Sequence, residues 1–247
     1  MESLSFLQDL AVVMIVAGLV TLVFLRLKQP LVIGYLLWTA ADKPPVTPDG
    51  NVLLVNPVTE ATFDGALPSD WRTIGRLPVE FTRSAMRHKL GAETTATGGG
   101  VSWTQPIAPD EPFAVVASVR VNKPEENLIA QIFVTDQPEF GDDNGTTPHE
   151  LVWLIQGQQM QVILPSGRVV AQSDQAKNQR GSMTISVTVD RDQASVDFGS
   201  KRERLWSGVS GLDPTKPRYV GVRFLTRSND AGDGVVFQSV RVNMRQK

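Results

Sequence analysis

The chain has 247 residues, 41% hydrophobic and 20% charged, enough apolar material for one large or two small domains. A formal net charge of -2 excludes the basic face that nucleic-acid binding requires, so no nucleic-acid partner is expected. The absence of cysteine excludes disulfides and thiolate metal sites, and two histidines far apart in sequence, His88 and His149, argue against a histidine-based centre.

The first element in chain order is the stretch 6–27, FLQDLAVVMIVAGLVTLVFLRL, which carries no charge from Leu10 to Leu25. With its flanks it reaches the roughly 20 apolar residues that a bilayer-spanning helix needs, so residues 1–29 are read as a transmembrane anchor in the lipid bilayer. Glu2 in place of a basic amino-terminal region, and an apolar core longer than about 15 residues, separate it from a cleaved signal peptide. Thr39-Ala40-Ala41 is nevertheless a passable cleavage site. Glu2 and Asp9 precede the span while Arg26 and Lys28 follow it. The positive-inside bias therefore expects a single-pass protein of the cell membrane with its soluble domain in the cytoplasm. Ala17 and Thr21 share a helix face beside Gly18, a strip of small residues on which the helix of an integral membrane partner can pack.

A second apolar run, LVIGYLLWTAA at 31–41, follows Pro30. As a helix it covers only about half a bilayer, so residues 30–41 are expected to lie at the interface or to re-enter, with Tyr35 and Trp38 at headgroup depth. The run 7–37, LQDLAVVMIVAGLVTLVFLRLKQPLVIGYLL, resembles the amino-terminal helix and following turn of monovalent cation:proton antiporters. That family's transport chemistry resides in later broken helices with acidic residues, which are missing. Trp38-Thr39-Ala40-Ala41-Asp42 also departs from the small residues and Gly-Pro turn with which the family continues. What the resemblance implies is an anchor, not a transporter.

Residues 42–58 open with DKPPVTPDG, a polar, Pro-rich spacer leading to a domain over 59–247. Beyond it no long stretch repeats at helical period. Short runs of β-branched and aromatic residues, cut by Gly, Pro, Asn and Asp, predict strands at 79–85, 100–105, 113–122, 128–135, 150–156, 159–164, 168–172, 182–189, 195–198, 204–206, 219–226 and 235–244. In 113–122 the residues Val115, Ala117, Val119 and Val121 form one face and Ala114, Val116, Ser118 and Arg120 the other, the pattern of a sheet with one buried side. Pro165-Ser166-Gly167 and Asp190-Arg191-Asp192 read as hairpin turns. About a dozen short strands with tight turns predict a mainly β fold, an antiparallel β-sandwich.

Four motifs then share one likeness. Phe63-Asp64-Gly65-x-Leu67-Pro68-x-Asp70-Trp71, the run Gly98-Gly99-Gly100-Val101-Ser102-Trp103, Arg218-Tyr219-Val220-Gly221-Val222-Arg223, and the closing stretch from Val236 to Val242 resemble the concanavalin A-like lectin/glucanase jelly roll. The resemblance spans about 59–244. It implies that Phe63 and Trp71 close the first strand over the core, and that the last strand returns beside the first with Val236 and Val240 between the sheets. The glucanases of that fold carry a Glu-x-Asp-x-x-Glu strand for acid and nucleophile roles. No such run exists here, so no catalytic residue and no enzyme activity are expected.

The densest acidic cluster is the loop DQPEFGDDNGTTPHE at 136–150. Asp136, Glu139, Asp142, Asp143 and Asn144 are oxygen donors of the kind calcium takes, although the spacing fails the EF-hand pattern. No other cofactor is indicated. For a glycan, the candidate aromatic platforms are Trp103 and Trp153, although a Trp in strands of this kind is more often core. Lys201, Arg202, Arg204 and the stretch 207–218 read as a solvated basic edge that discourages strand pairing. The first functional expectation is a non-catalytic, membrane-anchored interaction module that scaffolds a membrane protein complex as an accessory subunit. A membrane-tethered, lectin-like carbohydrate-binding protein is the alternative, and glycoside hydrolysis a third.

Overall fold

Period-two alternation and closely spaced turns leave a chain with one way to bury its apolar faces, sheet against sheet. The computed structural model describes residues 56–82, 85–89, 98–122, 128–138, 149–157, 159–174, 181–199, 202–226 and 234–244, and there every regular element is a strand. No helix among these residues is long and apolar enough to cross a membrane. The stretches 6–27 and 31–41, and with them Ala17, Gly18 and Thr21, lie outside the described residues.

The strands are β1 (Asn56–Ala61), β2 (Trp71–Gly75), β3 (Val79–Phe81), β4 (Met86–His88), β5 (Gly98–Trp103), β6 (Phe113–Val121), β7 (Leu128–Thr135), β8 (Glu150–Gln156), β9 (Gln159–Ile163), β10 (Val169–Ser173), β11 (Gly181–Asp190), β12 (Gln193–Phe198), β13 (Glu203–Val209), β14 (Tyr219–Thr226) and β15 (Val235–Met244). One sheet runs β13-β12-β11-β6-β15-β4-β3, with β1 also on β15; the other runs β10-β9-β8-β7-β14-β5-β2. The last strand does return beside the first, with Asn56 opposite Met244 and Ala61 opposite Val240.

Three local expectations change. β1 begins inside the stretch read as linker, and β2 was not expected at all. The run 79–85 holds only β3; the chain folds back where Thr82 and Ala85 exchange backbone hydrogen bonds, and β4 follows beyond the predicted end. The last strand also changes parity midway. Its register shifts between Phe237 and Ser239 opposite β6, so Val235 and Phe237 point inward before the bulge, and Val240 and Val242 after it. Val240 therefore lies in the core as expected, whereas Val236 is buried but stands outside that cluster. The jelly-roll likeness implied both residues between the sheets, and it carried no information on the bulge that separates their faces.

Between the sheets, β6 contributes Phe113, Val115, Ala117 and Val119, and Phe63 and Trp71 are buried at the start of the chain as the jelly-roll likeness implied. Phe224 of one sheet meets Phe237 of the other at 5.2 Å between ring centroids, tilted by 49°. Each such side chain contributes about 1.5–3 kcal/mol by burial. Gly100 keeps two strands close: a Cβ there would sit 2.1 Å from the carbonyl oxygen of Val222. A Cβ at Gly99 would likewise sit 2.1 Å from the carbonyl oxygen of Leu77, so close backbone approach accounts for two glycines of the run ahead of Trp103.

Candidate functional site

Strands β7, β8 and β14 are nearly apolar throughout, the pattern of strands covered on both faces. Leu128, Ala130, Ile132 and Val134 point into the sandwich. On the opposite face a second cluster gathers Ile129, Phe133, Val152, Leu154 and Leu225. Register places Gln131 beside Arg223 in that outward layer. Arg223 lies along the sheet, its guanidinium carbon 4.8 Å from the centre of the Phe133 ring. Its Nε donates to Gln131 at 2.7 Å, and Nη1 and Nη2 donate to the Glu150 carboxylate at 3.1 and 2.5 Å. Both ionic side chains are buried, so the bidentate geometry is what makes the charges tolerable.

One end of this sheet carries a different polar cluster. Tyr219 pairs with Thr135, and Thr135 pairs with Glu150, so Asp136, His149 and Arg218 stand just beyond the last rungs. Asp136 is 3% exposed. Its carboxylate accepts from the Gln137 amide and from the backbone N–H of Asp213, each at 2.9 Å. Asp213 opens a turn whose Thr215 donates to it through backbone N–H at 3.0 Å and hydroxyl at 2.7 Å. Those hydrogen bonds hold the Asp213 carboxyl below its ordinary range, with smaller help from Lys216 and Arg218.

Arg218 is 1% exposed. Its Nη1 donates to the carbonyls of Asp213 at 2.5 Å and Lys216 at 2.9 Å, while Nε and Nη2 are buried without a hydrogen-bond partner. Burial pulls the guanidinium below its ordinary value, opposed by the charges of Asp136 and Asp213. The sequence had placed Arg218 at the end of a solvated basic stretch; it is interior instead. Arg204 fits the expectation better, on edge strand β13 and paired with Asp197.

Calcium fits poorly on the residues described. Asp136 already accepts from two protein donors, Glu150 is clamped by Arg223, and no three His, Cys, Asp or Glu side chains converge among the described residues. Glu139, Asp142, Asp143 and Asn144 lie outside them. The two candidate platforms are placed in the core: Trp153 is 0% and Trp103 9% exposed, so neither offers an open face to a sugar ring. Trp103 has a structural task. Its indole N–H donates to Asp70 at 3.2 Å, Thr59 donates to the same carboxylate, and Trp71 donates to Thr59 at 2.8 Å. This clasp ties β1 in one sheet to β2 and β5 in the other, and accounts for the Asp70-Trp71 pair of the first motif.

Solved structures align over most of this architecture. The carbohydrate recognition domain of Emp47p matches with a TM-score of 0.57 at 12% identity, covering 75% of this chain and 94% of that one. Arcelin-5, a lectin-like defense protein from Phaseolus vulgaris, matches with a TM-score of 0.57 at 10% identity, over 76% and 99%. What these structures share with this chain is the fold, an antiparallel β-sandwich. The exoplasmic/lumenal domain of VIP36, in a Ca2+/Man-bound form, agrees with a TM-score of 0.55 at 12% identity, over 76% and 90%. No family model and no curated protein matches the chain, and none of the comparisons supports the antiporter likeness of its first residues.

Sequence reasoning missed Arg218, Asp213, Arg223, Glu150 and Gln131. One signal was available: Arg223 stands inside YVGVRFLT and Glu150 opens ELVWLIQ, and an isolated charge in an otherwise apolar strand calls for an opposite partner.

Proposed function

We propose that this chain is a non-catalytic glycan-binding module, held at a membrane by its amino-terminal stretch. The observation that carries the reading is the polar cluster of Asp136, Asp213, Thr215 and Arg218 at one end of a lectin-type sandwich, where buried donors of Arg218 remain unused. A protein surface needs donors and acceptors held in place before it can select among sugar hydroxyls, and this cluster supplies both. The lectin-like neighbours support carbohydrate as the ligand class, an analogy of fold.

This reverses the order expected from sequence, where scaffolding came first. Among the described residues the large exposed apolar side chains are Val58, Val169 and Val209, too few for the patch of several hundred Å² that marks a docking face. Packing of Ala17, Gly18 and Thr21 against a membrane partner remains part of the proposal for the anchor. The test is a glycan array probed with the full chain in mild detergent. Selective retention of a glycan class, lost on replacing Arg218, is the expected result; an array without any specific signal overturns the reading.

A further inference from the structure

We propose that Arg218 is a carboxylate anchor, so that the glycan taken at this end of the sandwich carries an acidic sugar of the uronate class; the inference rests on the glycan-binding reading above. A guanidinium has five N–H donors in a rigid plane. Nη1 uses its two on the carbonyls of Asp213 and Lys216, which leaves Nε–H and both hydrogens of Nη2 without acceptors. Nε–H and one Nη2–H lie side by side, the fork that matches the two oxygens of a carboxylate. An unpaired buried donor is costly, and three on a cation more so.

Among the described residues the nearby carboxylates do not fill the fork. Asp136 accepts from Gln137 and from the backbone of Asp213, and the Asp213 carboxylate accepts from Thr215. Both face other donors while lying close enough for their charge to act on Arg218. Their proximity also sets selectivity. One carboxylate adds a single negative charge beside Asp136 and Asp213, whereas a phosphate dianion adds two. A neutral sugar offers only hydroxyl oxygens, which accept more weakly from a guanidinium than a carboxylate does.

Position fits a projecting group. Arg218 is held by the carbonyls of a turn whose residues Pro214, Thr215, Lys216 and Pro217 are exposed, and a ligand reaches the buried fork only if its cover moves aside. An exocyclic carboxylate reaches below the plane of its sugar ring, where ring hydroxyls do not.

The test is calorimetry on the full chain in mild detergent, with polygalacturonate, galactan and inorganic phosphate as probes. Polygalacturonate and galactan share the galacto ring configuration and differ at the exocyclic carbon, a carboxylate in one and a hydroxymethyl group in the other. The expected result is binding to polygalacturonate about tenfold or more tighter than to galactan, no competition by phosphate, and loss of the preference in Arg218→Met. Arg218→Lys keeps the charge without the fork and is expected to lose most of the preference too, so it decides the matter if the methionine variant does not fold. Equal affinity for the two polysaccharides, or a preference that survives in Arg218→Lys, overturns the anchor and leaves glycan binding standing. Retention of neutral glycans only on the array has the same meaning. Failure with every glycan, acidic or neutral, overturns both readings.

Discussion

Arg223 reaches across the outward layer of the seven-stranded sheet, over the ring of Phe133, to close a bidentate ion pair with Glu150 in which the side chains are 4% and 1% exposed. Desolvating two charges is expensive, and Nε of the same guanidinium donates to Gln131, so the ion pair belongs to a buried hydrogen-bonded network. Removing one partner strands the other. Glu150→Gln and Arg223→Met are each expected to lower unfolding stability by about 3–5 kcal/mol, whereas Glu150→Leu with Arg223→Met recovers most of the loss. Urea unfolding followed by tryptophan fluorescence measures all three. Single variants within about 1 kcal/mol of the parent would mean that the pair is solvated, as surface ion pairs are.

Gly221 pairs with Phe133 across the same layer. A Cβ at Gly221 would lie 2.4 Å from the carbonyl oxygen of Val101 and 2.7 Å from Cζ of Phe133. The backbone contact cannot be relieved by turning a side chain. Gly221→Ala is therefore expected to cost about 1–3 kcal/mol by overpacking, and trimming Phe133 to Leu in the same chain should not restore it. A neutral Gly221→Ala in the same urea assay would show that β5 and β14 separate readily.

The strands were legible because alternation and turns act locally: 128–135, 150–156, 219–226 and 235–244 match their elements end to end. β1 and β2 were missed because NPVTEA and WRTIG are short and mostly polar, and become strands only through their partners β15 and β5. The site was hidden for a related reason. Asp136 and Asp213 are far apart in sequence, and meet only because β7 and β14 are neighbours joined by no direct connection. Composition made the tryptophans attractive, but it cannot tell a core indole from an exposed one.

Trp153 gives the sharpest contrast with that expectation. Its indole is fully enclosed, and its N–H has no acceptor. Trp153→Ala should cost about 3–5 kcal/mol, with glycan affinity of the folded protein unchanged. Trp153→Phe fills most of the space and removes the unsatisfied donor, so its cost should be clearly smaller. Lost glycan binding in a Trp153→Phe protein of parental stability would instead return this residue to the binding face.

The turn at Asp213 carries a pH dependence with a definite sign. Hydrogen bonds from Thr215 lower the carboxyl below its ordinary value in the folded chain. A depressed acid contributes its stabilisation above the unfolded value, and loses it as pH falls through the folded one. Thr215→Val removes the hydroxyl donor and keeps the backbone donor, so the Asp213 titration should move up toward the ordinary range without reaching it. Carboxyl carbon chemical shifts followed through acid pH read this directly. An unchanged titration in Thr215→Val would mean that the hydroxyl faces water in solution.

In the proposed membrane-anchored arrangement, orientation follows from the flanking charges: Glu2 and Asp9 precede the apolar stretch and Arg26 and Lys28 follow it. Translocating basic flanks is disfavoured, so the span is expected to leave its carboxyl side, and the sandwich, in the cytoplasm. The apolar run 31–41 is too short to return the chain across a bilayer of about 30 Å. Ligand chemistry pulls the other way, since most acidic polysaccharides are outside cells. Moving the charges separates the two pressures: Arg26→Glu with Lys28→Glu, combined with Glu2→Lys, reverses the bias without altering hydrophobic length. Protease added to intact spheroplasts should spare the parent sandwich and digest it in the reversed variant. Digestion of the parent from outside refutes the cytoplasmic assignment and puts the sandwich on the side where acidic glycans are met.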